Sequence, residues 1–196
     1  MKKALGLTAL IVAVTLALAG CGSNDTTGSS ASTGGHNQQD VAFATDMIPH
    51  HLQAVQMAEM AQTQASSDDV KTLADQIKAA QGPEIDTMTQ WLKSWGEDVP
   101  DESMGGMDGM DGMDSGSSDS MPGMMSDQAM SELGAATGDT FDQMWLESMI
   151  AHHEGAVQMA DTEIADGKDP DAVALAKSIK AAQTTEIATM KTLLAP

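Results

Sequence analysis

The chain reads as an all-α protein, a four-helix bundle built from two repeated helical hairpins. Three observations predict this. Met47-Ile48-Pro49-His50-His51, followed by Ala54, Val55, Gln56, Met57 and Ala58, returns as Met149-Ile150-Ala151-His152-His153, followed by Ala156, Val157, Gln158, Met159 and Ala160. The offset of 102 residues continues without a gap, so that Leu73, Ile77, Gln81, Glu84, Ile85 and Met88 map onto Leu175, Ile179, Gln183, Glu186, Ile187 and Met190. Apolar residues in four long segments recur at steps of three and four, the period of an amphipathic helix, and no segment alternates as a strand would. A unit of two helices that occurs twice predicts a pseudo-symmetric bundle.

The N-terminus is read separately. Lys2 and Lys3 precede an apolar run from Ala4 to Ala19, and Leu18-Ala19-Gly20-Cys21 follows. A basic start, a short apolar core and small residues before a cleavage point make residues 1–20 a secretory signal peptide. The run is too short for a spanning helix. Leu-Ala-Gly-Cys resembles a bacterial lipobox, which implies lipid attachment at Cys21 and a cell-membrane lipoprotein facing away from the cytoplasm. Residues 21–37 are rich in Gly, Ser, Thr and Asn and read as a flexible tether. His36, at its end, reads as solvated. Cys21 is the only cysteine, so an intrachain disulfide and a thiolate metal site are both excluded.

The first hairpin spans 38–96. Asp40 is the expected cap of a helix reaching about Ala65, with Phe43, Met47, His50, His51, Ala54, Ala58 and Ala61 on its buried stripe. Pro49 interrupts the pattern and removes one backbone donor. Ser66-Ser67-Asp68-Asp69 is a turn with a cap signal. The next helix runs from about Val70 to Trp95 and stops at Gly96. Its stripe is Leu73, Ile77, Ala80, Glu84, Met88, Trp91 and Trp95, and Gly82-Pro83 predicts a break in it.

Residues 97–125 change character. Met104, Met107, Met110 and Met113 recur every three residues between Gly and Asp, and Met121, Met124 and Met125 follow. This is a linker without a core-forming period. The remainder, 126–196, holds a short helix from Ser126 to Leu133, ended by Gly134, and the second hairpin. There Phe141, Trp145, Met149, His152, His153, Ala156 and Ala160 form a stripe on a helix from about Asp139 to Ala165. Asp169-Pro170 supplies a side-chain cap followed by Pro at the first helical position. Leu175, Ile179, Ala182, Glu186 and Met190 share one face of the last helix.

The net charge is −20 and there is no arginine. Nucleic acid is not expected as a partner, because phosphate binding needs clustered Lys or Arg. The acidity fits a solvated, self-repelling surface and also a field that draws cations; charge alone does not separate them.

Each hairpin offers two imidazoles, a carboxylate within an apolar face, and several thioethers. Met at helical spacing is usually core filling, and a His on an apolar face is usually a hydrogen-bonded boundary residue. Two adjacent His pairs, each matched to a Glu in the following helix, favour a site. Imidazole suits Cu, Zn, Ni and Fe, whereas thioether selects soft ions, chiefly Cu(I). A Cys-type zinc site is excluded. A carboxylate-bridged di-iron centre needs Glu-x-x-His, and neither Glu84 nor Glu186 has His three residues on. The spaced linker thioethers of Met104, Met107, Met110 and Met113 suit weak Cu(I) capture, or are a low-complexity repeat. No nucleophile, base and oxyanion arrangement is visible, and no enzymatic role is expected.

The doubled Met-Ile-x-His-His-x-x-Ala-Val-x-Met-Ala motif resembles the bacterial family known as domain of unknown function 305, over roughly residues 38–195. The resemblance implies a ferritin-like helical fold in secreted or membrane-anchored proteins, among them a copper-binding one. It implies Met47, His50, His51, Met57, Met149, His152, His153 and Met159 as ligand candidates. Glu84, Met88, Glu186 and Met190 fall on recurring positions as possible ligands or supports. The expectation is a lipid-anchored, extracytoplasmic protein that buffers or hands on Cu(I), or Cu(II), to an envelope transport partner. The alternatives are a metal-independent interaction module of the envelope and a di-metal oxidase.

Overall fold

A computed structural model describes residues 35–100 and 121–195. The expectations for Cys21, the signal peptide and Met104, Met107, Met110 and Met113 lie outside these residues. The described chain is all-helical: α1 (Gln38–Gln64), α2 (Asp68–Trp95), α3 (Asp127–Ala135), α4 (Gly138–Asp166) and α5 (Pro170–Leu193).

Local side-chain chemistry sets most of the boundaries. Ser67 caps α2 through Val70 N, and Gly96 closes it in the left-handed region at φ +80°, a conformation that costs glycine little. Asp169 caps α5 by accepting from Asp171 N and Ala172 N, with Pro170 opening the helix. Asp40 is not the cap of α1. Asn37 is, and Asp40 is the third residue of a capping box, accepting from Asn37 N. The α3 helix, expected to run to Leu133 and stop at Gly134, continues two residues further, to Ala135, with Ala136 as its cap. His36 is half-buried rather than fully solvated: its ring stacks on Trp95 at 4.7 Å and 18°.

The break expected at Gly82-Pro83 does not occur; α2 is continuous through Pro83, as α1 is through Pro49. A helix-interior Pro costs about 3 kcal/mol. Ile85, Met88 and Leu92 lie just beyond Pro83 and are all buried, so continued helix there is held by packing that a broken helix would lose. The buried row of α2 also runs one residue off the expected one. Ala80 and Ala182 are exposed, and Gln81 and Gln183 are buried in their stead.

The α1 helix packs on α2 and α4 packs on α5, and the two hairpins meet mainly through α1 against α4. Two apolar clusters result. One joins the second half of α1 (Ala54, Met57, Ala61) to the first half of α4 (Phe141, Trp145, Met149). The other joins the first half of α1 (Phe43, Met47, Ile48) to the second half of α4 (Ala156, Ala160). The inner helices are therefore antiparallel, and the two His-His pairs fall where the clusters meet.

The hairpins also pin each other's turns. Asp40 Oδ1 accepts from Lys168 N at 2.9 Å and Asp169 N at 2.8 Å, at the start of α5. Its equivalent, Asp142, accepts from Ser66 N at 3.2 Å and Ser67 N at 2.8 Å, at the start of α2. Each inner helix thus supplies a carboxylate to the loop of the opposite hairpin, a charge-assisted bond of the stronger kind.

Candidate metal site

His50, His51, His152 and His153 are all fully buried, at 0 % exposure. Adjacent residues on a helix point about 100° apart, so the two members of each pair do different things. His50 and His152 meet across the α1–α4 contact, with ring centroids 3.8 Å apart and planes at 39°. His51 and His153 bond back into their own hairpins. His51 Nε2 lies 2.7 Å from Glu84 Oε2, and His153 Nε2 lies 2.8 Å from Glu186 Oε2. His50 Nε2 lies 3.0 Å from the Pro122 carbonyl oxygen.

These partners decide where the ring hydrogens sit. A carbonyl and a carboxylate accept, so the Nε2–H of His50, His51 and His153 donates. In a neutral ring that leaves the lone pair on Nδ1. The Nδ1 atoms of His50, His51 and His153 have no hydrogen-bond partner, and neither ring nitrogen of His152 has one. An unpaired buried polar group costs about 1–3 kcal/mol, and several in one place call for a ligand, an ion or water. Burial pushes the His50 imidazole down to about 3, helped by neighbouring His51. Burial, then His50, likewise holds His152 well below the usual range. Both are neutral at physiological pH, the form in which imidazole binds metal.

Five methionines are fully buried in the two apolar clusters that meet near this layer. Met47 and Met88 belong to one cluster, and Met57, Met149 and Met190 to the other, all fully buried. Met159, the equivalent of Met57, is only partly buried, so the two copies differ there. Glu84 and Glu186 are partners of imidazole. Among the described residues no group of three His, Cys, Asp or Glu side chains is placed to hold an ion.

Two features escaped the sequence reading. The first is the turn Met121–Met124. Met124 N donates to Met121 O at 3.3 Å, and Gly123 has φ +79°. Pro then Gly at the central positions is the signature of a type II turn, a signal present in Pro122-Gly123. The second is Glu163, fully buried where the first copy has Ala61. Burial first, then the side chain of Asp40, pushes its carboxyl up to about 8. A Cβ on Gly167 would overlap the Glu163 carboxyl, so only glycine fits there.

Antiparallel helical hairpins, duplicated and closed around a buried imidazole layer, define the class of protein. The chain belongs to the DUF305 family, a domain of unknown function, whose model matches residues 40–194. No curated protein matches it. Among solved structures it is similar to a DUF305 protein of Streptomyces coelicolor assigned as secreted, at 29% identity and TM-score 0.68, covering 80% of this chain and 91% of that one. A DUF305 fragment from Deinococcus radiodurans matches at 26% identity and TM-score 0.68, covering 81% and 96%. CopM in its Cu(II)-bound form matches at 32% identity and TM-score 0.64, covering 79% and 94%. CopM also matches in Cu(I)-bound, Ag-bound and apo forms.

Proposed function

We propose that this protein binds copper in the imidazole layer between its hairpins and buffers or hands on the ion outside the cytoplasm. The observation that carries the reading is His152: fully buried, unpartnered at both ring nitrogens, and packed on His50. Buried imidazoles and thioethers carried by the same two helices favour a soft ion, Cu(I) ahead of Cu(II). The ligand set would come from His50, His51, His152 and His153 with Met47, Met57 and Met149, and Glu84 and Glu186 would orient their histidines. Carboxylate support of this kind is usual behind metal-bound histidine. The relation to CopM, at 32% identity, supports the same ion.

The role is binding rather than turnover. The lipobox-like Leu-Ala-Gly-Cys sequence supports anchoring through Cys21. Among the described residues no helix is long and apolar enough to cross a membrane. A Cu(I) titration against a chromophoric chelator tests the reading. The chain should compete for copper, and the variant with all four layer histidines changed to Ala should not. Equal competition by that variant would remove the layer from the function.

A further inference from the structure

The segment Met121–Met125 lies directly on the histidine layer, and both inner helices are shaped to receive it. Gln53 of α1 grips it with its amide: Gln53 Nε2 donates to Met125 O at 2.9 Å, and Met125 N donates to Gln53 Oε1 at 2.8 Å. The equivalent position on α4 is Gly155, in mid-helix, where glycine costs about 1 kcal/mol relative to Ala. A Cβ there would overlap the Pro122 carbonyl group. Gly123 is equally confined: a Cβ would lie 2.5 Å from Ala151 O and 3.0 Å from His152 Cα. At one and the same repeat position, then, the first copy has a residue that holds the segment and the second has a residue that makes room for it. The Pro122 carbonyl, set between them, accepts from His50 Nε2.

We propose that Met121–Met125 is a latch over the His50–His152 pair, and that the Pro122 carbonyl is the positioning group that fixes the ligating nitrogen of His50. While the latch is closed, Nε2 of His50 carries the hydrogen and Nδ1 is the nitrogen open to an ion. The latch lies across the α4 backbone at 151–155, so an ion arriving from that side enters when the segment lifts. Gln53 and Gly155 set how often it does. This inference rests on the copper reading for the identity of the ion, but its claim about His50 concerns the metal-free protein.

The test uses the full chain and two variants, Gln53→Ala, which releases the grip without adding volume, and Gly155→Ala, which displaces the turn. Long-range proton–nitrogen spectra of the histidine rings are recorded without metal. The wild-type chain should show His50 as a single Nε2–H tautomer, and the variants should show a mixture. Uptake of Ag(I), a soft monovalent stand-in for Cu(I), is then timed by stopped flow. Because a rarely open site slows and weakens binding in proportion to its open fraction, uptake should quicken at least about tenfold in the variants. If Gly155→Ala does not fold, Gln53→Ala decides alone. A single His50 tautomer retained in the folded variants overturns the positioning role, and unchanged uptake overturns the latch. Failure of the wild-type chain to take up Ag(I) overturns the copper reading instead, and the spectra still decide the role of Pro122.

Discussion

His50 and His152 occupy matching positions in the two repeats, and their rings touch each other at 3.8 Å. The approximate symmetry of the duplication thus places two buried imidazoles against one another at the centre. A neutral pair with unpaired nitrogens gives little to folding. Its presence, fully buried, in the α1–α4 contact is a cost that binding would offset.

That cost predicts an opposition between stability and binding. Changing His152 to Leu removes two unpaired buried nitrogens and keeps an apolar side chain of useful volume. Resistance to urea should hold or rise by about 1–3 kcal/mol in the metal-free protein. Copper affinity should fall in the same variant. A large loss of stability would mean that His152 is satisfied by groups of the fold itself.

The outer pair predicts a different response. Glu84 and Glu186 accept from His51 and His153 and are themselves partly exposed, at 18 % for each side chain. Glu84→Gln and Glu186→Gln keep the shape but weaken control over the ring hydrogen. Copper affinity should drop about 10–100-fold per substitution, the usual effect of removing a partner behind a metal ligand. The melting temperature should barely move. Chelator competition and calorimetry on the same samples separate the two effects, and an affinity equal to wild type would confine both glutamates to structural hydrogen bonding.

How much of this was legible in the sequence depends on the range of the interaction involved. The hairpins, the caps at Ser67 and Asp169 and the stop at Gly96 rest on bonds within a few residues, and the residue types announce them. The buried stripe of α1 was legible because its apolar period is regular. Along α2, Gln81 and Ala80 exchange roles because the helix phase is set by Ile77, Ile85 and Leu92 packing against other helices, which outweighs the polarity of one amide. Pro83 stays helical for the same reason. The histidines stood out in the sequence by repetition alone. That His50 faces His152, while His51 faces Glu84, follows from the way α1 crosses α4, which the sequence does not print.

The turn carboxylates give a third prediction. Asp142 accepts from both backbone donors at the start of α2 and from Ser66 Oγ. Asp142→Ala leaves those donors without it and loosens the contact between hairpins. Charge-assisted bonds are worth about 1.5–3 kcal/mol, but Ser66 is exposed and water replaces part of what is lost. Urea denaturation should show a loss of about 1–2 kcal/mol. Hydrogen exchange should rise first at Ser66 and Ser67; unchanged protection there would show that the contact contributes nothing.

The fourth concerns Glu163. Its carboxyl is fully buried beside Asp40 and titrates near 8 in the fold, against 4.5 for an ordinary glutamate. Burial raises Asp40 too, but the backbone donors of Asn37, Asp169 and Lys168, with the Glu163 side chain, bring it below its ordinary value. The pair therefore holds one proton, on Glu163, and its charge on Asp40. Between pH 4.5 and about 8 the folded chain keeps a proton at Glu163 that the unfolded chain releases, so this group makes stability fall as pH rises across that window. The slope is at most about 1.4 kcal/mol per pH unit and levels off above the folded value. Asp40 acts in the opposite sense and lower down, its stabilisation being lost as pH drops below the ordinary carboxylate range. Glu163→Gln keeps a donor to Asp40 and does not ionise. Urea midpoints of wild type and variant should therefore diverge from pH 5.5 to 8.5, with the variant holding its stability at the alkaline end. Parallel curves would mean that Glu163 is already ionised in the fold, and that Asp40 tolerates a second carboxylate at its side.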